Sequence, residues 1–189
     1  MSSVTDMAFM FDHAYAFNRD ISLWNVGSVT SMDAMFSHAA DFNQNIGGWN
    51  VGSVTSMAYM FFRATSFNGD ISLWNVGSVT NMASMFEGAS VFNQNIRDWN
   101  VALVADMSSM FSHASLFNRD ISLWNVGSVS SMDYMLYGAS NFNQNLCSWK
   151  NTIPSIGNAY IFINSGCMYS TTPLMTTGPF CAVDVCPST

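Results

Sequence analysis

The chain has 189 residues, of which 49% are apolar, 14% aromatic and only 9% charged, against roughly 25% charged in ordinary soluble domains. That length fits one domain with ample material for a core. A net charge of −7 with five Lys and Arg in total excludes the basic footprint of a nucleic-acid binder, and the absence of an 18-residue apolar run excludes a membrane-spanning helix.

Val4, three residues after Met1, already occupies a repeated position, and no signal peptide precedes it. This suggests a processed form or a piece cut from a longer precursor. An N-terminal end without a cap is expected to fray over Met1–Phe11, or to be covered by a partner or a second copy. Trp24 then returns at Trp49, Trp74, Trp99, Trp124 and Trp149, every 25 residues without slip. So strict a period predicts a solenoid of stacked rungs, each position becoming a ladder with steps of about 4.8 Å.

Within a rung, Trp24-Asn25-Val26 reads as a very short strand with Trp and Val inward and Asn outward. Gly27 turns the chain. Val29, Met32, Met35, Phe36 and Ala39 follow at i, i+3, i+6, i+7 and i+10, the spacing of one face of a short helix, which Ser28 or Thr30 can cap. Twelve of the fifteen Met residues fall in two of these columns. Thioethers could bind soft metals, but the Val, Phe and Ile columns alongside make the Met columns core. The Trp column reads as core too, rather than as a sugar-stacking strip.

Two columns hold only Asn or Asp: Asn18 through Asn143, and Asp20, Asn45, Asp70, Asn95, Asp120, Asn145. Asx side chains bond to nearby amides in turns, and in register they can satisfy backbone groups between rungs. Calcium is disfavoured, because Asp20, Asp70 and Asp120 lie two rungs apart, about 10 Å. The Asp/Asn alternation marks a 50-residue super-repeat. His13 and His38 share a column one rung apart; with no third ligand type in that column, it reads as solvated surface.

The repeat stops at Trp149. Residues 1–149 are expected to form the six-rung solenoid and 150–189 a C-terminal cap. Cys147, just before this boundary, and Cys167, Cys181 and Cys186 beyond it all lie in the last 43 residues. Their even number and loop-rich setting favour two disulfides and an oxidising compartment over a four-thiolate zinc site, whose paired short hooks are missing. All three pairings stay open.

The pattern W-N-V-x-x-V-T-x-M-x-x-M-F-x-x-A-x-x-F-N-x-x-I over residues 4–149 resembles the BspA-like leucine-rich repeat surface proteins, in particular their 25-residue Mycoplasma-type subclass. The cysteine-bearing tail looks like the end of secreted algal members. The resemblance implies a right-handed solenoid with a parallel sheet on one side, cell-surface or secreted placement, and adhesion or protein binding. It brings no catalytic residues. The expected class is therefore an α/β, right-handed leucine-rich-repeat-like solenoid with a short parallel strand and a short helix per rung.

Two faces are candidates for binding. On the sheet side, Leu23, Leu73 and Leu123 alternate with smaller residues beside Asn25, Asn50, Asn75, Asn100 and Asn125. This mildly apolar strip suits a protein or glycan ligand, or self-association. At the helix entrance, Ser28, Thr30, Ser53, Thr55, Ser78 and Thr80 form a hydroxyl ladder that could order ice, or simply cap helices. Leu103 and Ala105 interrupt it. No catalytic grouping can be assembled from ladders this regular. The expectation is a secreted or cell-surface, non-enzymatic recognition module without metal or cofactor.

Overall fold

A computed structural model describes residues 3–154, 157–168, 180–181 and 186. Successive 25-residue coils stack in register. The coil is neither strand nor helix, and this corrects the α/β expectation. Among the described residues the single helical element is a 3₁₀ turn at Cys147–Trp149. Extended pairing is limited to isolated parallel bridges down one column, Asp6, Ser31, Ser56, Asn81, Asp106 and Ser131.

The expected helix over Val29–Ala39 is a chain of β-turns. Amides of Met32, Ala34, Phe36 and His38 donate to the carbonyls of Ser56, Ala58, Met60 and Phe62 on the next coil, at 2.7–3.1 Å. They are thus unavailable for i→i−4 bonds. Between them Met35 N–H donates to Met32 O and Ala39 N–H to Phe36 O. Ala34 and His38, the third residue of each of these turns, have φ of 51° and 58°, the type II signature. Neither angle is possible inside a right-handed α-helix. Turns of this size bring an apolar residue inward every three or four positions, which is the spacing that imitates a helix.

The expected strand at Trp24–Val26 is also absent. Trp49 N–H bonds to Ile46 O and Val54 N–H to Val51 O, so these amides close local turns instead of pairing between coils. Asn25, Asn50, Asn75, Asn100 and Asn125 accept, through Oδ1, the amide two residues on at 3.1–3.2 Å. Asx turns of this kind compete directly with strand pairing.

The apolar columns form one continuous core. The interior Val, Met, Phe, Ala and Ile ladders are essentially inaccessible to solvent. Phe36 stacks on Phe42 within its coil at 3.9 Å and on Phe61 of the next at 5.6 Å; the pattern repeats at Phe61 and Phe86, and Phe111 keeps the within-coil stack on Phe117 while Leu136 takes the next place in its column. At such separations the rings contribute about 0.5–1.5 kcal/mol per pair beyond burial. Trp49, Trp74, Trp99 and Trp124 are buried, and each indole N–H donates to an Ile carbonyl one coil back at 3.1–3.2 Å. Trp24, in the first coil, stands 38% exposed.

The inter-coil ladder does not stop at Trp149. Met132, Tyr134, Leu136 and Gly138 donate to Gly157, Ala159, Ile161 and Ile163. Tyr160 and Asn164 repeat the positive φ of Tyr134 and Gly138. Disulfides Cys147–Cys186 and Cys167–Cys181 tie this end together, settling the pairing that the spacing left open. At the other end, the amides of Met7, Phe9, Phe11 and His13 are all bonded to the second coil.

Candidate functional site

The Leu/Asn strip expected on a sheet face lies instead on a run of turns, since no strand forms at Trp24–Val26 or its equivalents. Leu23, Leu73 and Leu123 project into solvent, 95%, 89% and 63% exposed. Asn25, Asn50, Asn75, Asn100 and Asn125 lie exposed beside them. Each Asn already commits one oxygen to its Asx turn, which leaves the two NH₂ donors outside that turn.

What the sequence did not disclose is a groove next to this strip. Asn43, Gln44, Asn45, Asn68, Asp70 and Leu73 line a depression of about 550 Å³. It is open because Gly47, Gly48 and Gly69 present no side chains to it. A Cβ at Gly48 would meet nothing within 4 Å, whereas one at Gly47 would lie 2.5 Å from the Asp70 carbonyl. The signal was present as the run Gly47-Gly48 with Gly69, in columns that elsewhere carry Ser, Leu, Arg, Gln, Asp or Cys. A smaller depression of about 410 Å³ recurs three coils on, lined in the same columns by Asp120, Ser122, Gln144, Asn145 and Ser148. Between the two, Arg97 and Asp98 stand where Gly47 and Gly48 stood, and Arg119 stands where Gly69 did. Arg97 Nε lies 3.2 Å from Asp120 Oδ2, and Arg119 Nε donates to Asn93 O at 2.7 Å.

The acidic column is shaped by its own turns. Asp20, Asp70 and Asp120 accept the amides of Ser22, Ser72 and Ser122 at 2.9–3.0 Å. Their carboxyls are held below the ordinary carboxylate value. For Asp20 and Asp70 the backbone bond comes first and the serine hydroxyl second; for Asp120 the hydroxyl leads, and Arg97 adds to it. Asn45, Asn95 and Asn145 make the same turn without charge. The other Asn column forms the inter-coil amide ladder: Asn43, Asn68, Asn93, Asn118 and Asn143 each donate a backbone N–H to the Asn Oδ1 one coil back.

The hydroxyl ladder is engaged with the backbone. Thr30, Thr55 and Thr80 are exposed in register, but each Oγ1 donates to the Thr carbonyl one coil back at 3.1 Å. Ser53 and Ser78 donate to Gly27 and Gly52. No helix follows them to be capped. Ser28 is exposed at the same position of the first full coil.

The His column gains a neighbour that the column reading missed. His13 and His38 stack, and Asp12, from the adjacent column, joins them so that one donor atom of each lies within 4.8 Å of the others. No repetition pointed to Asp12, whose column carries Ser37, Phe62, Glu87, Ser112 and Tyr137 in the other coils.

The family model for "Mycoplasma protein of unknown function, DUF285" matches the chain twice, over residues 1–89 and 69–166. The chain belongs to that family. The two overlapping matches cover the stacked coils and run past Trp149 to the seventh set of ladder carbonyls. No curated protein and no solved structure matches the chain. Among the described residues no helix is long and apolar enough to cross a membrane.

Proposed function

We propose that the protein is a non-catalytic recognition module at the cell surface or outside the cell, and that it binds neutral glycan in the amide-lined groove beside Leu73. The groove carries the proposal: a concave site with convergent carboxamides, one carboxylate and an apolar shelf suits a polyhydroxylated, uncharged ligand. Two disulfides and the resemblance of the repeat to BspA-like surface proteins support an oxidising, external setting. The low charge of the face supports a ligand recognised by hydrogen bonds rather than by ionic attraction. The ice-binding reading has less support, because the Thr protons that would meet an ice lattice already point at backbone carbonyls.

The test is Gly69→Arg, which introduces the residue its column carries at Arg19 and Arg119. Its side chain can reach Asn43 O as Arg119 reaches Asn93 O, filling the groove without a foreign fold element. Retention of wild-type protein on an array of neutral oligosaccharides, and at least tenfold weaker retention of Gly69→Arg, is the expected result. Absence of any retained glycan, or equal retention of the variant, would overturn the proposal. Leu23→Lys and Leu123→Lys, neither of which lines the groove, separate the strip from it. Loss of concentration-dependent self-association in those variants, with glycan retention intact, would assign the leucines to contacts between copies.

A further inference from the structure

We propose that Asp12, His13 and His38 form a binding site for a divalent transition-metal ion, with Zn²⁺ as the fitting occupant. His13 and His38 take the same left-handed backbone conformation, φ 58° in each, one coil apart. Their amides are anchored to Ser37 O and Phe62 O at 2.8 and 2.7 Å. The two side chains therefore leave the stack in parallel, and the rings face each other at 4.2 Å and 18°. The stacking brings one nitrogen of each ring within 4.8 Å of the other and of Asp12.

Asp12 supplies the third donor. Its Oδ1 is enclosed from solvent, with His13 Nδ1 2.9 Å away. An enclosed carboxylate oxygen beside two imidazoles is a ready ligand for a cation. Ser37 Oγ lies 3.1 Å from His38 Nδ1 and can fix that ring's orientation, as outer-sphere partners of metal-bound histidines do.

Donors around one tetrahedral Zn²⁺ sit about 3.4 Å apart for metal–ligand distances near 2.1 Å. The three donor atoms, all within 4.8 Å of one another, need to close by only about 1.4 Å to reach that spacing. The His13 side chain is 54% exposed, so water can fill the fourth position. Two imidazoles and one carboxylate favour Zn²⁺, Ni²⁺ or Cu²⁺ over the oxygen-seeking Ca²⁺ and Mg²⁺. The next member of the column, Arg63, lays its guanidinium over the Phe62 ring at 5.3 Å. An apolar depression of about 420 Å³ between Phe9 and Tyr59 borders His38, so a metal-bound water there would face a partly dry wall.

The column contains its own control. His113 has the same backbone conformation, φ 57°, but its neighbours in the column are Gly88 and Gly138, and Ser112 stands where Asp12 does. The experiment is calorimetric titration of chelator-treated, tag-free protein with Zn²⁺. One ion per chain is expected, with at least tenfold weaker binding in His38→Ala and in Asp12→Asn, and no change in His113→Ala. Cu²⁺ bound to the wild type should show two nitrogen ligands by electron paramagnetic resonance. Less than a fifth of an equivalent bound by wild type, or equal weakening by His113→Ala, would overturn the proposal. His13→Ala, at the more exposed ring, guards against a folding defect: weakened binding at an unchanged melting temperature supports the site, and unchanged binding refutes it.

Discussion

The indole N–H of Trp49 donates to the carbonyl of Ile21, 3.2 Å away and one coil back. Trp74, Trp99 and Trp124 repeat the bond to Ile46, Ile71 and Ile96, but Trp149 Nε1 is buried without a partner. The same ring in the same column thus exists with and without its hydrogen bond. Trp74→Phe removes one of two donors to the Ile46 carbonyl, which keeps the Trp49 N–H, and Trp149→Phe removes an orphan donor. The first variant should be the less stable by about 0.5–1.5 kcal/mol, the net worth of one hydrogen bond. Paired denaturant titrations measure this difference; equal losses would show that the indole bond contributes nothing net.

The left-handed positions make a second prediction. Ser109 holds φ 54°, a conformation that costs a residue with a Cβ roughly 1–2 kcal/mol. Ser109→Gly should therefore raise stability by about 1 kcal/mol, against the usual sense of glycine substitution. Gly88, at φ 69°, has Arg63 Cγ only 3.1 Å from where a Cβ would stand, so Gly88→Val should lower stability. Melting temperatures of the two variants should move in opposite directions.

The two disulfides close loops of different length, with sequence separations of 39 for Cys147–Cys186 and 14 for Cys167–Cys181. Loop-closure entropy assigns the longer one about 1 kcal/mol more stabilisation. Cys147→Ser/Cys186→Ser should accordingly destabilise more than Cys167→Ser/Cys181→Ser, read as the shift in urea midpoint at constant slope.

Acid should weaken the stack through the aspartate turns. Asp20, Asp70 and Asp120 have lowered native pKa values, caused by the amide and hydroxyl of the serine two residues on. A carboxyl depressed on folding stabilises the native state above its unfolded pKa, near 3.9. That contribution is lost as the pH falls through the native value. Stability should therefore drop below about pH 4. In the Asp20→Asn/Asp70→Asn/Asp120→Asn variant, which copies the turn chemistry of Asn45 and Asn95, the drop should be smaller. Thermal melts between pH 7 and pH 2.5 read it out; an undiminished acid drop would place the sensitivity elsewhere.

The core was legible in the sequence because every Val, Met, Phe and Ile column faces inward in every interior coil. Local backbone geometry was not. The spacing of Val29, Met32, Met35 and Phe36 fits a helix face and a run of turns equally well, and only the positive φ at Ala34 and His38 distinguishes them. Residues with side chains hold most of those angles; Gly88 and Gly138, at φ 69° in the His38 column, were the one hint, and His and Arg in the same column masked it. Of the candidate binding residues, Leu23, Leu73 and Leu123 are exposed as read, while Asn25 and its equivalents have a turn-forming task that outward polarity alone could not reveal. The groove and the Asp12–His13–His38 cluster escaped for one reason: both arise where the repeat is broken, and columns display what repeats.

The two hydrogen-bond ladders bear on how long such a stack can grow. The amides of Met32, Ala34, Phe36 and His38 point toward the following coil, while the N–H groups of Thr55, Ser66, Asn68 and Trp74 point back toward the preceding one. These groups point in opposite directions, and the Thr55 and Ser53 hydroxyls add further donors that point back. An α-helix accumulates partial charge at its ends because all its peptide dipoles align. Here each added coil brings its own cancellation. Electrostatically, a tenth coil would meet the same conditions as a third, and no capping charge is needed at either end to hold the number of copies fixed.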